Sequence, residues 1–101
     1  MILYNVTISI DADVEAEWVE WMKAKHIPDI LNTGMFVSAR IFRVLNEEDV
    51  ESTSYAMQYL AESMEHINLY QQRYAPALQE EHHVRFRGKY AAFRTLLEAV
   101  S

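Results

Sequence analysis

From Ile2 to Ile10 the side chains alternate, with Ile2, Tyr4, Val6, Ile8 and Ile10 on one parity and Leu3, Asn5, Thr7 and Ser9 on the other. A two-residue period puts the first set on one side of an extended chain, which describes a strand with one apolar face. Such a strand needs sheet partners and a layer over its apolar side. The next segment supplies that layer. Asp11 or Asp13 offers a helix cap, Glu15 and Glu17 lie in the first turn, where carboxylates meet the positive helix end, and Val14, Trp18, Trp21 and Met22 form a wide apolar stripe. Lys23, Lys25 and His26 crowd the far end, where cations suit the dipole. Pro28 disfavours helical geometry at Ile27, so the helix is expected to end near Lys25 and to restart briefly over 28–33 before Gly34 allows the turn.

Residues 36–45 and 53–61 again alternate and read as a hairpin closed by the acidic turn 46–52. Both parities of 36–45 are substantially apolar, so both faces of that strand should be covered. A second helix begins near Ser63, with Met64, Ile67, Gln71, Tyr74 and Leu78 as its inner stripe, and Pro76 should kink or split it. After Gly88, residues 90–100 suit a strand or a short helix; a strand completes the order βαββαβ. That order is the ferredoxin-like α+β sandwich, an antiparallel sheet of order 4-1-3-2 with two helices on one face. The other face is left open, and Phe36, Phe42, Val44, Tyr55, Met57, Tyr59, Tyr90 and Leu96 are on parities that can form it. An apolar sheet face of that size marks an interaction site. Two copies joined face to face about a two-fold axis, with a partly enclosed cavity between them, satisfy it most simply. The parity of 53–61 that faces inward stays open.

The strand start "ILYNVT", the run "WMKAKHIPDILNTGMF", the tyrosine-rich third strand with "QYLAES" and the final "YAAFRTLL" resemble the dimeric α/β-barrel superfamily. Within it the chain is most similar to a family of short bacterial proteins classed as a domain of unknown function. The resemblance covers the whole chain and implies a single dimeric α/β-barrel domain over 1–101. The wider superfamily includes cofactor-independent monooxygenases, haem-handling proteins and muconolactone-isomerase-like enzymes, so the resemblance implies the fold and the dimer far more than any one reaction.

Composition narrows the classes of partner. Fifteen acidic residues against nine basic give a net charge of -6, which repels nucleic acid and anionic lipid; the basic cluster at 84–94 is short and coincides with strand entry. There are no cysteines, hence no thiol chemistry, and two glycines cannot build a dinucleotide-binding fingerprint. The first ten residues lack the flank and the continuous apolar run of a signal peptide, and no segment reaches the length of a membrane span, so a cytoplasmic location is expected by default.

His26 is the best candidate for chemistry, as a general base or a group that positions a polar substrate, with Asp29 near enough in sequence to orient it. The competing reading is a helix-terminal histidine bonding a free carbonyl. Asn5, Thr7, Arg40 and Arg94 are polar positions in apolar strands; their parity opposes that of Val6, Ile8, Ile41 and Phe93, so they should share the cavity face. Two arginines there favour a carboxylate-bearing ligand, or else bridge the dimer to acidic residues. Tyr55, with Tyr59, Tyr90, Phe42 and Met57, can wall a pocket for a flat molecule, or serve as core and dimer contact. Residues Asn5, His26, Arg40, Tyr55 and Arg94 are therefore the expected binding set. "EEHH" at 80–83 is expected to be a solvated helix end rather than a metal site, because His82 and His83 point about 100° apart on a helix. His66 and Tyr70 are expected to be a surface pair. No cofactor or metal is expected, although haem ligated by His26 or His66 would leave no local motif.

Two functions follow. The first is a homodimer binding a small aromatic or carboxylate-bearing molecule, with cofactor-independent oxygenation or isomerisation as its catalytic form. The second is an assembly protein, structural or regulatory, whose sheet face is filled by Phe42, Tyr55, Met57 and Tyr59.

Overall fold

The computed structural model describes residues 1–46 and 51–100. Its strands are β1 (Ile2–Asp11), β2 (Ser38–Arg43), β3 (Ser52–Ala61) and β4 (Tyr90–Glu98). Its helices are α1 (Glu15–Trp21), α2 (Ile27–Leu31), α3 (Met64–Arg73) and α4 (Ala75–Phe86). The strands form one antiparallel sheet of order β2-β3-β1-β4, which is 4-1-3-2 read from the other edge, as the βαββαβ order predicts. Most of the expected acidic turn between β2 and β3, residues 47–50, lies outside the described residues.

Register determines which side chains meet the helices. Tyr4, Val6 and Ile8 of β1 stand opposite Tyr59, Met57 and Tyr55 of β3, and all six are buried on the helical side with Ile10 and Ala61. Tyr55, Met57, Tyr59 and Tyr90 therefore belong to the helical face, which resolves the parity left open above and removes them from the open face. Phe36 leaves it too, packing in the core 4.9 Å from Tyr70 between ring centroids. Phe42 does occupy the open face, opposite Ala56, with Arg40 over its ring at 4.9 Å. Phe93 and Leu97 join it from β4 and are well exposed. Leu96 instead faces the helical side, opposite Tyr4, and remains 48 % exposed because no helix covers the edge strand there.

The first helical segment does not break at Pro28. Residues 22–26 form a π-helical turn in which the Ile27 N–H bonds the Met22 carbonyl, and Ile27 keeps helical angles (φ -64, ψ -45). The wider turn accommodates a proline in the second position of α2, where an α-helical path would press its ring against the carbonyl four residues back. α2 ends at Leu31; Gly34, at φ +78, then turns the chain toward β2, its N–H bonding the Leu31 carbonyl at 3.1 Å.

Pro76 divides the second helix as expected. α3 stops at Arg73, Tyr74 leaves helical geometry, and α4 begins at Ala75. The inner stripe differs from the expected one: Met64 and Gln71 are exposed, while Ile67, Tyr70, Ala75, His82 and Phe86 are buried. His66 and Tyr70 are accordingly no surface pair. Tyr70 is core, and His66 belongs to the α3 cap, its Nδ1 lying 2.8 Å from Ser63 Oγ.

Candidate functional site

Where the C-terminal half of the first helical segment and α4 pass over β1 and β4, they enclose a pocket of about 330 Å³. Tyr4, Val6, Ile8 and Met57 form its floor, Met22, His26 and Ile30 one wall, Tyr59 and Tyr70 another, and Gln79, Glu80, His82 and His83 of α4 its roof, with Tyr90, Ala92 and Arg94 along β4. The volume lies at the lower end of the range for small-molecule sites, about 300–1,000 Å³, and suits a ligand of one or two rings. It lies between sheet and helices, whereas the sequence reading put the cavity on the open sheet face.

The structure divides the five expected binding residues. His26 and Arg94 border the pocket. Asn5 and Arg40 are on the opposite face of the sheet, where Asn5 Nδ2 donates to Thr7 Oγ1 at 3.0 Å. Tyr55 is on the helical side but outside the pocket: its hydroxyl donates to Glu15 Oε2 at 2.5 Å and accepts from Arg43 Nε at 3.3 Å. The common face expected for Asn5, Arg40 and Arg94 fails at β4. Arg94 stands opposite Val6, with Phe93 turned outward, because the β1–β4 register pairs even-numbered residues with even.

Arg94 Nε donates to Tyr4 Oη at 3.0 Å, which holds the guanidinium beside the pocket. Its terminal nitrogens have no partner among the described residues, so the fork that suits a carboxylate is available. Tyr59 and Tyr70 are held protonated, their phenols pushed upward by burial first and by neighbouring tyrosines second.

His26 is buried and stacks on Trp21, the rings 5.1 Å apart and inclined by 26°. Its Nδ1 is inaccessible to solvent and has no hydrogen-bond partner among the described residues. It bonds no helix carbonyl, so the helix-terminal role does not account for it. A buried polar atom without a bond costs about 1–3 kcal/mol. Burial lowers its pKa to about 4, against the opposing pull of Glu81 and Asp29. Asp29 does not orient the ring; it pairs with Lys25 at 2.7 Å.

His82 is the residue that sequence reasoning missed. It is 4 % exposed, its ring centroid lies 5.5 Å from that of His26, and its Nε2 accepts the Trp18 indole N–H at 2.9 Å. Burial, and then the charges of His26, Arg94 and His83, lower its pKa to about 4. A signal was present in the sequence, since Ala75, Leu78, His82 and Phe86 recur at helical spacing and put the histidine on the apolar stripe. His83 borders the same pocket, but the rotation of about 100° turns it toward β4, its Nδ1 lying 2.9 Å from Tyr90 Oη. Among the described residues no three acidic or imidazole side chains gather to hold a metal.

A ferredoxin-like α+β protein with an aromatic-walled pocket between sheet and helices is the class these features define. The chain belongs to the family described as Domain of unknown function (DUF4286), which matches residues 1–100. No curated protein matches it. Among solved structures it is similar to a dimeric ferredoxin-like protein from an uncultured marine organism, with a TM-score of 0.68 and 9% identity, covering 99% of this chain and 96% of that one. It is also similar to a variant of SnoaB, a cofactor-independent oxygenase from Streptomyces nogalater, with a TM-score of 0.65 and 14% identity over 99% and 94% of the two chains. A third is a variant of MhuD with two manganese protoporphyrin IX molecules bound per active site, with a TM-score of 0.67 and 19% identity over 100% and 96%. At these identities the likeness is one of fold. No helix among the described residues is long and apolar enough to cross a membrane.

Proposed function

We propose that this protein is a homodimer that binds a small, flat, carboxylate-bearing aromatic molecule in the pocket between its sheet and helices. The observation that carries the reading is the pairing of a pocket walled by Tyr4, Tyr59, Tyr70 and Tyr90 with Arg94 at its edge, whose terminal nitrogens are unbonded among the described residues. Aromatic walls supply affinity for rings, and a guanidinium supplies orientation for an acid. The dimer is supported by the open sheet face, where Phe42 is exposed at one edge and Phe93 and Leu97 at the other, and by the similar fold of the dimeric ferredoxin-like protein.

A catalytic form of the same reading is favoured by His26. Its neutral imidazole on the pocket wall can take a proton from an acidic C–H of the bound molecule and return it at another carbon, an isomerisation that needs no oxidant. A pKa near 4 makes it a weak base, which restricts this chemistry to acidic substrates. The similarity to a cofactor-independent oxygenase is consistent with such chemistry but reaches only the fold.

Native mass spectrometry of the protein purified from its own host tests both parts. A dimer carrying a reproducible added mass of one small acid is expected. A dimer without added mass, whose Arg94→Gln variant binds a panel of aromatic acids as well as the native protein does, would shift the assignment to an assembly protein.

A further inference from the structure

We infer that Trp18 is a positioning residue, fixing His82 as the tautomer that presents Nδ1–H to the pocket and so making it the second donor, beside Arg94, for a ligand carboxylate. The inference rests on the binding reading above and adds the residue that sets its selectivity.

The argument begins with the indole. Its nitrogen carries a hydrogen and has no lone pair to offer, so it only donates. At 2.9 Å from His82 Nε2, that nitrogen must be the one bearing the lone pair, which requires a neutral ring with its proton on Nδ1. Trp18 is 0 % exposed and His82 4 %, so no solvent competes for the bond. Trp18 is further held by the Tyr55 ring at 5.1 Å, and Tyr55 by Glu15 and Arg43. The indole is thus braced from behind by residues outside the pocket, and the imidazole takes its orientation from the indole.

His82 borders the pocket, and its Nδ1 has no partner among the described residues. Arg94 borders the same pocket and acts electrostatically on the His82 ring. One directed neutral donor and one cationic fork on the same cavity match an oxygen-rich anion, whereas an alcohol or an amide leaves part of that donor capacity unused. The edge of the Tyr90 ring, whose centroid is 4.6 Å from that of His82 at an interplanar angle of 88°, limits rotation of the imidazole from the strand side.

The test has two readouts on the intact chain. Long-range 1H–15N correlation spectra of the native protein should show His82 wholly as the Nδ1–H tautomer, with Trp18→Phe releasing it to a mixture. Titration with 2-naphthoate and with 2-naphthalenemethanol should show at least a tenfold preference for the acid. That preference should fall several-fold in His82→Leu and persist in His82→Gln, whose amide can accept from Trp18 and still donate to the ligand. The Gln variant keeps the test decisive if Trp18→Phe does not fold. An Nε2–H or mixed tautomer in the native protein overturns the inference, as does an undiminished preference in His82→Leu. A fixed tautomer with neither probe bound overturns the binding reading itself and reduces the Trp18–His82 bond to a packing device.

Discussion

Acidification from pH 7 to pH 5 should destabilise the fold sharply, and the two buried histidines give the magnitude. His26 and His82 each have a folded pKa of about 4 against an unfolded value of 6.5. Because the folded values are depressed, the unfolded chain binds protons first as pH falls. The contribution is therefore complete above about pH 6.5 and is lost progressively toward pH 4. At pH 5 the unfolded imidazole is mostly protonated and the folded one mostly neutral, which amounts to about 2 kcal/mol per histidine and about 4 kcal/mol for both. A domain of this size has a stability of only about 5–15 kcal/mol, so the effect is a large share of the whole. The window lies above the ordinary carboxylate range of about 4, which isolates the imidazoles. Urea unfolding at fixed protein concentration should show the midpoint falling by roughly 2–4 M between the two pH values for a small-domain slope. A His26→Leu/His82→Gln double variant should lose most of that dependence, the charges that face these rings (Lys25, Asp29, Glu81, Arg94 and His83) being unaltered. A native midpoint that moves by less than the equivalent of about 1 kcal/mol, or a double variant as steep as the native protein, would refute the claim that both rings are buried neutral.

Other consequences follow from packing and from the turn geometry. Met57→Ala, at a position 1 % exposed on the pocket floor, should cost about 2–5 kcal/mol in urea unfolding; a loss below about 1 kcal/mol would mean the site collapses around the void. Gly34→Ala meets no atom within 4 Å, so its cost should be the left-handed backbone alone, about 1–2 kcal/mol, read as a lowered Tm. Phe93→Asp, at a position 63 % exposed on the open face, should give a folded monomer in sedimentation velocity; a persistent dimer would place the interface elsewhere.

Much of the architecture was legible because periodicity is a local property. The alternation over 2–10 identified β1 and its buried parity, Pro76 divided the second helix, and the βαββαβ order gave the sheet its strand order. Pro28 misled, since the preference for breaking before a proline assumes an α-helical turn, and a π-helical turn removes the clash. The candidate site was only half legible. His26 was identified as the best candidate for chemistry, and the competing helix-terminal role is one that its unpartnered nitrogen does not fill. His82 was set aside with the charged helix end although its spacing marked it as buried.

By itself the sequence determined the elements, their order and which residues were candidates for burial, because those depend on neighbours within a few positions along the chain. Tertiary structure alone decided that Arg94 shares a pocket with His26 while Arg40 and Asn5 do not. The physical reason is register: a shift of one residue between β1 and β4 exchanges Arg94 with Phe93 between the two faces of the sheet, and no local pattern in an edge strand exposed on both sides records that choice. The bond from Trp18 to His82, spanning 64 positions in sequence, likewise exists only because the sheet brings the first and last helices side by side.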